Sequence, residues 1–334
     1  MKIKNNTFKA FRFLFCMDPY QTLNLETETS LLMMNELLFL GHEVFWTESS
    51  LLYLQDNKFF GFIKPVFSVE PYSTGSEIEG ILDDFDAILI RNDPPFDLNY
   101  LHLTYILDYL DPRVVQINPS RSVRNANEKL FALNWPQFVP PTLTTMNPNV
   151  LMRFLQRHGK IVVKPIEDCS GRGVELLEYE QSDVENRIKF LLVDEGGKQR
   201  FITAQKYLAQ VKDGDKRVYL VNGIPVGVVN RLPAKGSFLA NIHQGAKCEK
   251  TELTKKEEKI IQTISPRLKE MGLFLVGLDL IGEHITEINL TSPSAVRQIN
   301  QVTGRNIEKE IVSAMLSYIQ WHQDTNNSIS GSAL

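Results

Sequence analysis

The 334-residue sequence has little cysteine, and what it has is scattered. Cys16, Cys169 and Cys248 are odd in number and far apart, which argues against a disulfide framework and a CxxC metal pair and leaves the reduced thiols of a cytosolic protein. Long apolar runs are missing too: no stretch approaches the ~20 apolar residues of a membrane span. The basic, then apolar start imitates a secretory leader. Arg12 breaks that run, however, and Asp18-Pro19 stands where a small-residue cleavage site belongs. A positive excess is also absent. The net charge of −4 supplies no field to attract a nucleic-acid backbone, although a local positive pocket for a small anion stays open. A cytoplasmic protein with neither membrane nor nucleic-acid partners is expected. No GxGxxG follows the first strand, and GxxxxGK[ST], HExxH and GxSxG do not occur, which disfavours a nicotinamide-binding enzyme, a P-loop protein, a zinc protease and an α/β-hydrolase. The six histidines, His42, His243 and His284 among them, are scattered and read as structural or surface residues, His243 standing apart because it falls in a long loop.

What is present reads as a mixed α/β (α+β) chain with room for two or three domains. Phe11 to Met17 reads as a buried strand, Leu31 to Leu40 as an amphipathic helix capped by Ser30 and stopped by Gly41, and His42 to Trp46 as a second strand. Asp86 to Arg91 and Val114 to Asn118 repeat an apolar-then-polar form. Strand and helix alternating in this order imply a parallel sheet, with ligands at the carboxyl ends of its strands, where Asp18, Arg91 and Asn118 fall. Each is equally a turn former or a solvated loop residue. Farther on come a helix over Leu151 to His158, a strand over Ile161 to Pro165, and a polar turn from Glu167 to Gly173. A helix over Asp183 to Val193 and strands over Phe201 to Leu208 and Lys216 to Val221 follow, with Asn222-Gly223 marking a hairpin. Leu232 to Lys247 shows no period and is long enough to be a functional lid. Lys255 to Met271 reads as a helix kinked at Pro266, Asn306 to Trp321 as a last helix, and Asp324 to Leu334 as a disordered tail.

Phe274 to Ile281 reads as a strand broken by one acid, Asp279, and Ile285 to Leu290 as its return, with Glu287 and Asn289 on one face. If the two pair as a hairpin, Asp279 reaches that face. Three converging oxygen-bearing side chains are what a hard cation such as Mg²⁺ takes, phosphates completing its shell; the plain alternative is a solvated edge hairpin. Lys164 ends a buried strand, and Lys129 opens a predicted helix in Asn127-Glu128-Lys129-Leu130-Phe131; both are phosphate candidates, and taken alone each is a surface lysine. Arg217 begins an apolar strand, so its guanidinium is a candidate to turn inward for oxyanions.

Together these segments resemble bacterial glutathione synthetase of the ATP-grasp ligases, from about Phe11 to His322. The carriers, in order, are Met17-Asp18-Pro19, Arg91-Asn92-Asp93-Pro94-Pro95-Phe96-Asp97, Asn127 to Phe131 and Lys164-Pro165. Lys212-Asp213-Gly214-Asp215-Lys216-Arg217-Val218, Val276-Gly277-Leu278-Asp279 and Thr286-Glu287-Ile288-Asn289-Leu290-Thr291-Ser292-Pro293 continue the series. The resemblance implies an ATP-grasp fold behind a parallel-sheet N-terminal domain, with units at 1–122, 123–203 and 204–322 and a tail at 323–334. It implies that Lys129 and Lys164 hold ATP phosphates, that Gly171 belongs to a small nucleotide loop, and that Gln205, Lys206, Tyr207 and Leu208 with Asp215 cradle adenine and ribose. Asp279, Glu287 and Asn289 would bind Mg²⁺ or Mn²⁺. Arg217 and Arg231 would stabilise the transferring phosphoryl group and the tetrahedral intermediate, while Asp18, Asn241, Ser292, Ser294 and Arg297 would serve the substrates, γ-glutamylcysteine and glycine. A homotetramer is implied as well.

Two segments depart from the family pattern. Asp168-Cys169-Ser170-Gly171 replaces a glycine-rich Gly-Met-Gly-Gly, placing a carboxylate near phosphates unless it turns outward or meets a cation such as Arg172. In the lid, Leu239-Ala240-Asn241 stands for Arg-Gly-Asn, and Ile242-His243-Gln244-Gly245 for Ala-Ala-Gly-Gly. The alternatives are a ligase of the same fold with another amino-acid or peptide substrate, and a nucleotide-binding protein that has lost turnover.

Overall fold

The computed structural model describes residues 9–168, 171–194, 196–242 and 245–331, with side chains to 326; Cys169, Ser170, His243 and Gln244 lie outside these. Three sheets follow one another along the chain. The first is built on β1 (Arg12–Cys16), β2 (Glu43–Thr47), β3 (Leu52–Gln55), β4 (Lys58–Val69), β5 (Tyr72–Thr74), β6 (Ile78–Ile81), β7 (Ala87–Ile90) and β8 (Val115–Ile117). Its centre, in the order β2-β1-β7-β8, is parallel. Continuous apolar strands such as the fully buried β7 suit that centre, because helices cover both faces of a parallel sheet. The antiparallel extension formed by β3 to β6 around β4 is not foreshadowed in the strand-helix alternation. Helices α1 (Ser30–Phe39), α2 (Leu98–Ile106) and α3 (Ser120–Asn125) complete this part. Ser30 is the first residue of α1 rather than its cap: its N–H donates to Glu28 Oε1 at 2.6 Å, and Thr29 takes the cap position without a side-chain bond.

The second sheet, antiparallel in the order β11-β10-β12-β9, consists of β9 (Thr142–Thr145), β10 (Lys160–Pro165), β11 (Glu175–Glu178) and β12 (Ile202–Lys206). Its helices are α4 (Pro148–His158) and α5 (Val184–Leu191). Asn147 caps α4 by accepting the N–H groups of Asn149 and Val150, with Pro148 opening the first turn. The third sheet contains β13 (Asp215–Val221), β14 (Ile224–Leu232), β15 (Lys247–Lys250), β16 (Leu275–Ile281) and β17 (His284–Asn289), ordered β15-β14-β13-β16-β17. Helix α6 (Lys255–Glu270) carries a Thr254/Glu257 capping box and continues through Pro266 as one helix. The last helices are α7 (Val296–Thr303) and α8 (Ile307–Gly331).

Helix α8 passes Trp321, so 324–331 is helical and not the expected disordered tail. Extending an existing helix fixes one residue per hydrogen bond and avoids the costly nucleus, so weak formers such as Ser and Asn can follow. Gln320 Nε2 also donates to Asp324 Oδ1 at 2.9 Å across that turn. A single core joins the first and third sheets: Phe13, Phe15 and Met34 pack in one buried cluster with Tyr219, Phe274, Ile311 and Met315. Asn118 pins the same junction. Its Nδ2 donates to the carbonyls of Leu275 and Leu290, each at 2.7 Å, and its Oδ1 accepts the N–H groups of Phe274 and Leu275. The strand-end position that invited a ligand reading of Asn118 is thus filled by backbone of the third sheet.

Candidate active site

Two clefts meet over the third sheet. The first holds about 810 Å³ including its mouth and is walled by both antiparallel sheets. Lys129, Lys164, Gly171, Gln205, Lys206, Tyr207, Leu208 and Asp215 all line it, as do Asp279, Glu287 and Asn241. The second, about 700 Å³, is lined by Arg217, Arg231, Asn289, Ser292 and Ser294, and shares Asn241 and Glu287 with the first. Asp18 and Arg297 line neither. The Asp18 carboxylate accepts from Asn92 Nδ2 (3.2 Å) and Asp93 N–H (2.9 Å), and Arg297 donates to the Glu28 carbonyl (3.2 Å) and the Glu70 carboxylate (3.0 Å). Arg91 is likewise committed behind the wall, to Ser30 Oγ and the Pro293 carbonyl, both at 2.9 Å.

Strands β16 and β17 pair antiparallel with Asp279 opposite Glu287. Asn289 Nδ2 lies 3.2 Å from Asp279 Oδ2, so the three oxygen-bearing side chains converge as their alternation implies. Asp279 is already engaged. Arg217 reaches it with Nε at 2.5 Å and Nη2 at 3.0 Å, and Arg231 with Nη2 at 3.0 Å. Arg231 also meets Asp215 Oδ2 at 2.8 Å. Burial would raise the Asp279 carboxyl, but Arg217 and Arg231 prevail and hold it well below the usual carboxylate range. Asp215 moves the other way: burial pushes it up and Asp279 adds to that, with Arg231 opposing.

Two glycines make this geometry possible. Gly214 has φ +119°, and a Cβ there would fall 2.1 Å from Asn230 Oδ1, so only glycine turns the chain into β13 at Asp215. At Gly277 a Cβ would stand 3.2 Å from Arg217 Nη1, so the missing side chain leaves that guanidinium room beside β16.

Lys129 does not open an α-helix. It sits in a turn ahead of a short 3₁₀ stretch, Phe131–Asn134. The reason is tertiary: Glu128 Oε1 accepts from Leu290 N–H (2.6 Å), Thr291 N–H (2.9 Å) and Thr291 Oγ1 (2.9 Å), while its carbonyl accepts the Ile288 N–H at 3.0 Å. This docks the turn against β17 and puts Lys129 Nζ 3.3 Å from Glu287 Oε1, also hydrogen-bonded to the Asp168 carbonyl. Lys164 enters from β10, its Nζ 3.4 Å from the Thr286 carbonyl, and burial lowers its pKa, opposed by Glu287. Two ammonium groups from different parts of the chain therefore reach neighbouring positions of β17, Lys164 at the Thr286 carbonyl and Lys129 at the Glu287 carboxylate. Glu128 belongs to the Asn127 to Phe131 motif, but its tether is signalled there only by a carboxylate standing next to Lys129 and ahead of the apolar Leu130-Phe131.

Among the described residues, no group of three or more His, Cys, Asp and Glu side chains is placed to hold a metal. Asp279, Glu287 and Asn289 offer two carboxylates and an amide, all oxygen. That donor set suits Mg²⁺, which commonly takes one or two carboxylates and completes its octahedron with phosphates and water. Asp168, which also lines the first cleft, meets Arg172 Nε at 3.5 Å, a cation that offsets its charge there. Between β14 and β15, Phe238, Leu239, Ala240 and Asn241 line the first cleft.

The chain is similar to known proteins over nearly its whole length. Residues 11–124 match the model for the prokaryotic glutathione synthetase N-terminal domain, and residues 128–304 that for the prokaryotic glutathione synthetase ATP-grasp domain. A glutathione synthetase of Mesorhizobium japonicum is 36% identical over 297 residues, covering 87% of this chain and 93% of that protein. One from Pseudomonas syringae pv. tomato is 36% identical over 310 residues, covering 91% and 96%. Among solved structures, a D-cycloserine synthetase superposes with TM-score 0.66 at 13% identity, covering 92% of this chain and 99% of that one. D-alanyl-alanine synthetase A of Vibrio cholerae does so with TM-score 0.57 at 13% identity, covering 93% and 98%; at such identities both speak for the fold alone. The two domain matches and the relatives agree: this chain is an ATP-grasp ligase of the prokaryotic glutathione synthetase family.

Proposed function

We propose that the protein joins γ-glutamylcysteine to glycine at the expense of ATP, releasing glutathione, ADP and phosphate. The observation that carries this reading is the placing of Lys129 and Lys164 in the first cleft along Thr286 and Glu287 of β17, with Glu287 shared by the second cleft, where a nucleotide's phosphates would face a carboxylate donor. In this reading the donor's C-terminal carboxylate attacks the γ-phosphorus and ADP leaves. The glycine amine then adds to the acyl phosphate carbonyl, and phosphate departs from the tetrahedral intermediate. Lys129 and Lys164 supply ammonium donors to the phosphates, Gln205 to Leu208 receive the adenine, and Asp215 faces the ribose. Arg217 and Arg231 line the second cleft, where negative charge builds on the transferring phosphoryl group and on the intermediate. Asp279, Glu287 and Asn289 would hold Mg²⁺ or Mn²⁺, which neutralises phosphate charge when bound. Phe238 to Asn241 close the first cleft against water, which would otherwise hydrolyse the acyl phosphate.

Units at 1–122, 123–203 and 204–322 are proposed, although β12 of the second sheet runs past 203 to Lys206. No helix among the described residues is long and apolar enough to cross a membrane. A cytoplasmic homotetramer is proposed from the family. The test is purified protein with Mg²⁺-ATP, γ-glutamylcysteine and glycine, followed by phosphate release and product mass. Phosphate and glutathione together support the reading. Phosphate only with a different donor or acceptor refutes it in favour of another ligation, an outcome to which Leu239 in the lid lends weight.

A further inference from the structure

We propose that Glu28 and Asp93 recognise the α-ammonium at the distal, γ-glutamyl end of the donor and so determine donor specificity, an inference that rests on the ligase reading above. The second cleft has two kinds of wall. Arg217, Arg231, Glu287 and Asn289 belong to the third sheet and adjoin the nucleotide cleft. Thr27, Glu28, Asp93 and Pro94 come instead from the loops that precede α1 and follow β7 in the first part of the chain. A dipeptide whose reacting carboxylate lies among the arginines would extend its other end toward these loops.

That end of the cleft is short of positive charge. The charged groups that act on the Asp93 carboxyl are Glu28 and Asp18, which repel its negative form, and Arg91, which favours it. Arg91 already directs Nε to Ser30 Oγ and Nη2 to the Pro293 carbonyl. Arg91 is thus the cation acting on Asp93 and is bonded elsewhere, as is Arg297, which donates to the Glu28 carbonyl and the Glu70 carboxylate. Glu28 is buried, with Oε1 fixed by the Ser30 N–H at 2.6 Å and its other oxygen without a hydrogen-bond partner among the described residues. The Asp93 side chain is exposed at the cleft and hydrogen-bonded by Ser292, while its backbone N–H donates to Asp18 at 2.9 Å. Partial burial and then Glu28 push the Asp93 carboxyl up to about 6, the direction expected where a further cation would be welcome. An ammonium supplies three donors and the missing charge, whereas a donor lacking it leaves the Glu28 and Asp93 carboxylates to repel each other in the same cleft.

The experiment compares γ-glutamylcysteine with its desamino analogue, glutarylcysteine, in the wild-type enzyme, Asp93→Asn and Glu28→Gln. Both substitutions keep the shape and the acceptor oxygen that the folded loop uses. The wild type should favour the natural donor in kcat/KM by on the order of 10–100-fold, the range of a charge-assisted hydrogen bond. Either variant should lose most of that preference by losing the natural donor's advantage, with the KM values for ATP and glycine unchanged. Undiminished discrimination in both variants, with the wild type still making glutathione, overturns this inference alone. No turnover of γ-glutamylcysteine by the wild type removes the ligase reading and this inference with it.

Discussion

Asp279→Asn separates two demands that fall on one carboxylate. As the proposed cation ligand, Asp279 should matter for turnover; as the partner of two buried guanidiniums, it matters for the fold. Its side chain and that of Arg217 are 4% and 8% exposed, and the Arg231 side chain is 3% exposed, so solvent offers little compensation. Removing the charge leaves Arg217 with only the Ser294 carbonyl at 3.3 Å and Arg231 with Asp215 alone. Breaking a buried pair by deleting one member typically costs about 3–5 kcal/mol, because the remaining charge stays desolvated. Asp279→Asn should therefore lose about that much unfolding free energy, measured by urea titration at pH 7 with tryptophan fluorescence as the probe. Replacing both members, Arg217→Met with Asp279→Leu, should recover at least ~2 kcal/mol of it, since apolar substitutes of similar volume are tolerated where a lone charge is not. The arginines hold the native carboxyl below its unfolded value of about 3.9, so its contribution is present at neutral pH and lost as pH falls through the native pKa. The deficit of the Asn variant should accordingly persist at pH 7 and narrow only in acid, below about pH 4. A loss under ~1 kcal/mol at pH 7, with turnover abolished, would refute the ion-pair argument and leave Asp279 a ligand only.

Glu128→Ala removes one acceptor from three buried donors; at ~1–3 kcal/mol for each unsatisfied group, with the Thr291 hydroxyl free to reorient, a loss of about 2–5 kcal/mol is expected in urea melts. Glu128→Gln should keep most of that stability, and retention of full stability by the Ala variant would count against the tether. Lys164→Met should weaken ATP binding by calorimetry while the ligand-free protein melts no lower than the wild type, because burial already disfavours that ammonium. An unchanged ATP affinity would remove Lys164 from the phosphate site. Glu287→Gln should abolish metal-dependent ligation with the circular dichroism spectrum intact, and unaltered activity would refute the metal assignment. Leu239→Arg, which returns a cation to the lid, should raise kcat/KM by on the order of 10–100-fold if the lid meets an anionic ligand; no gain would show that this position faces none.

Much of the architecture was legible because apolar periodicity and turn residues act locally. The alternation of β1, α1 and β2, the Asn222-Gly223 hairpin and the β16–β17 pair were all readable in this way, as was the shared face of Glu287 and Asn289. Ordered motifs, not any single residue, marked the chain as an ATP-grasp ligase, and the two domain matches agree with that reading. Distance along the chain hid the rest. Nothing near Lys129 announces that Glu128 bonds to residues 290 and 291, so the expected helix start is a docked turn. Nothing near Asn118 announces four bonds to the third sheet, and nothing near Asp279 shows that two arginines from β13 and β14 already claim it. Asp18 invited a ligand reading because it ends a strand and Arg297 through the family resemblance; in the fold Asp18 bonds Asn92 and Asp93, and Arg297 bonds Glu28 and Glu70. The sequence by itself determined which side chains can carry phosphate and cation chemistry, since that depends on residue type. The tertiary structure decided which of them face a cleft and which spend their charge holding the fold, because only packing brings the competing partners within reach.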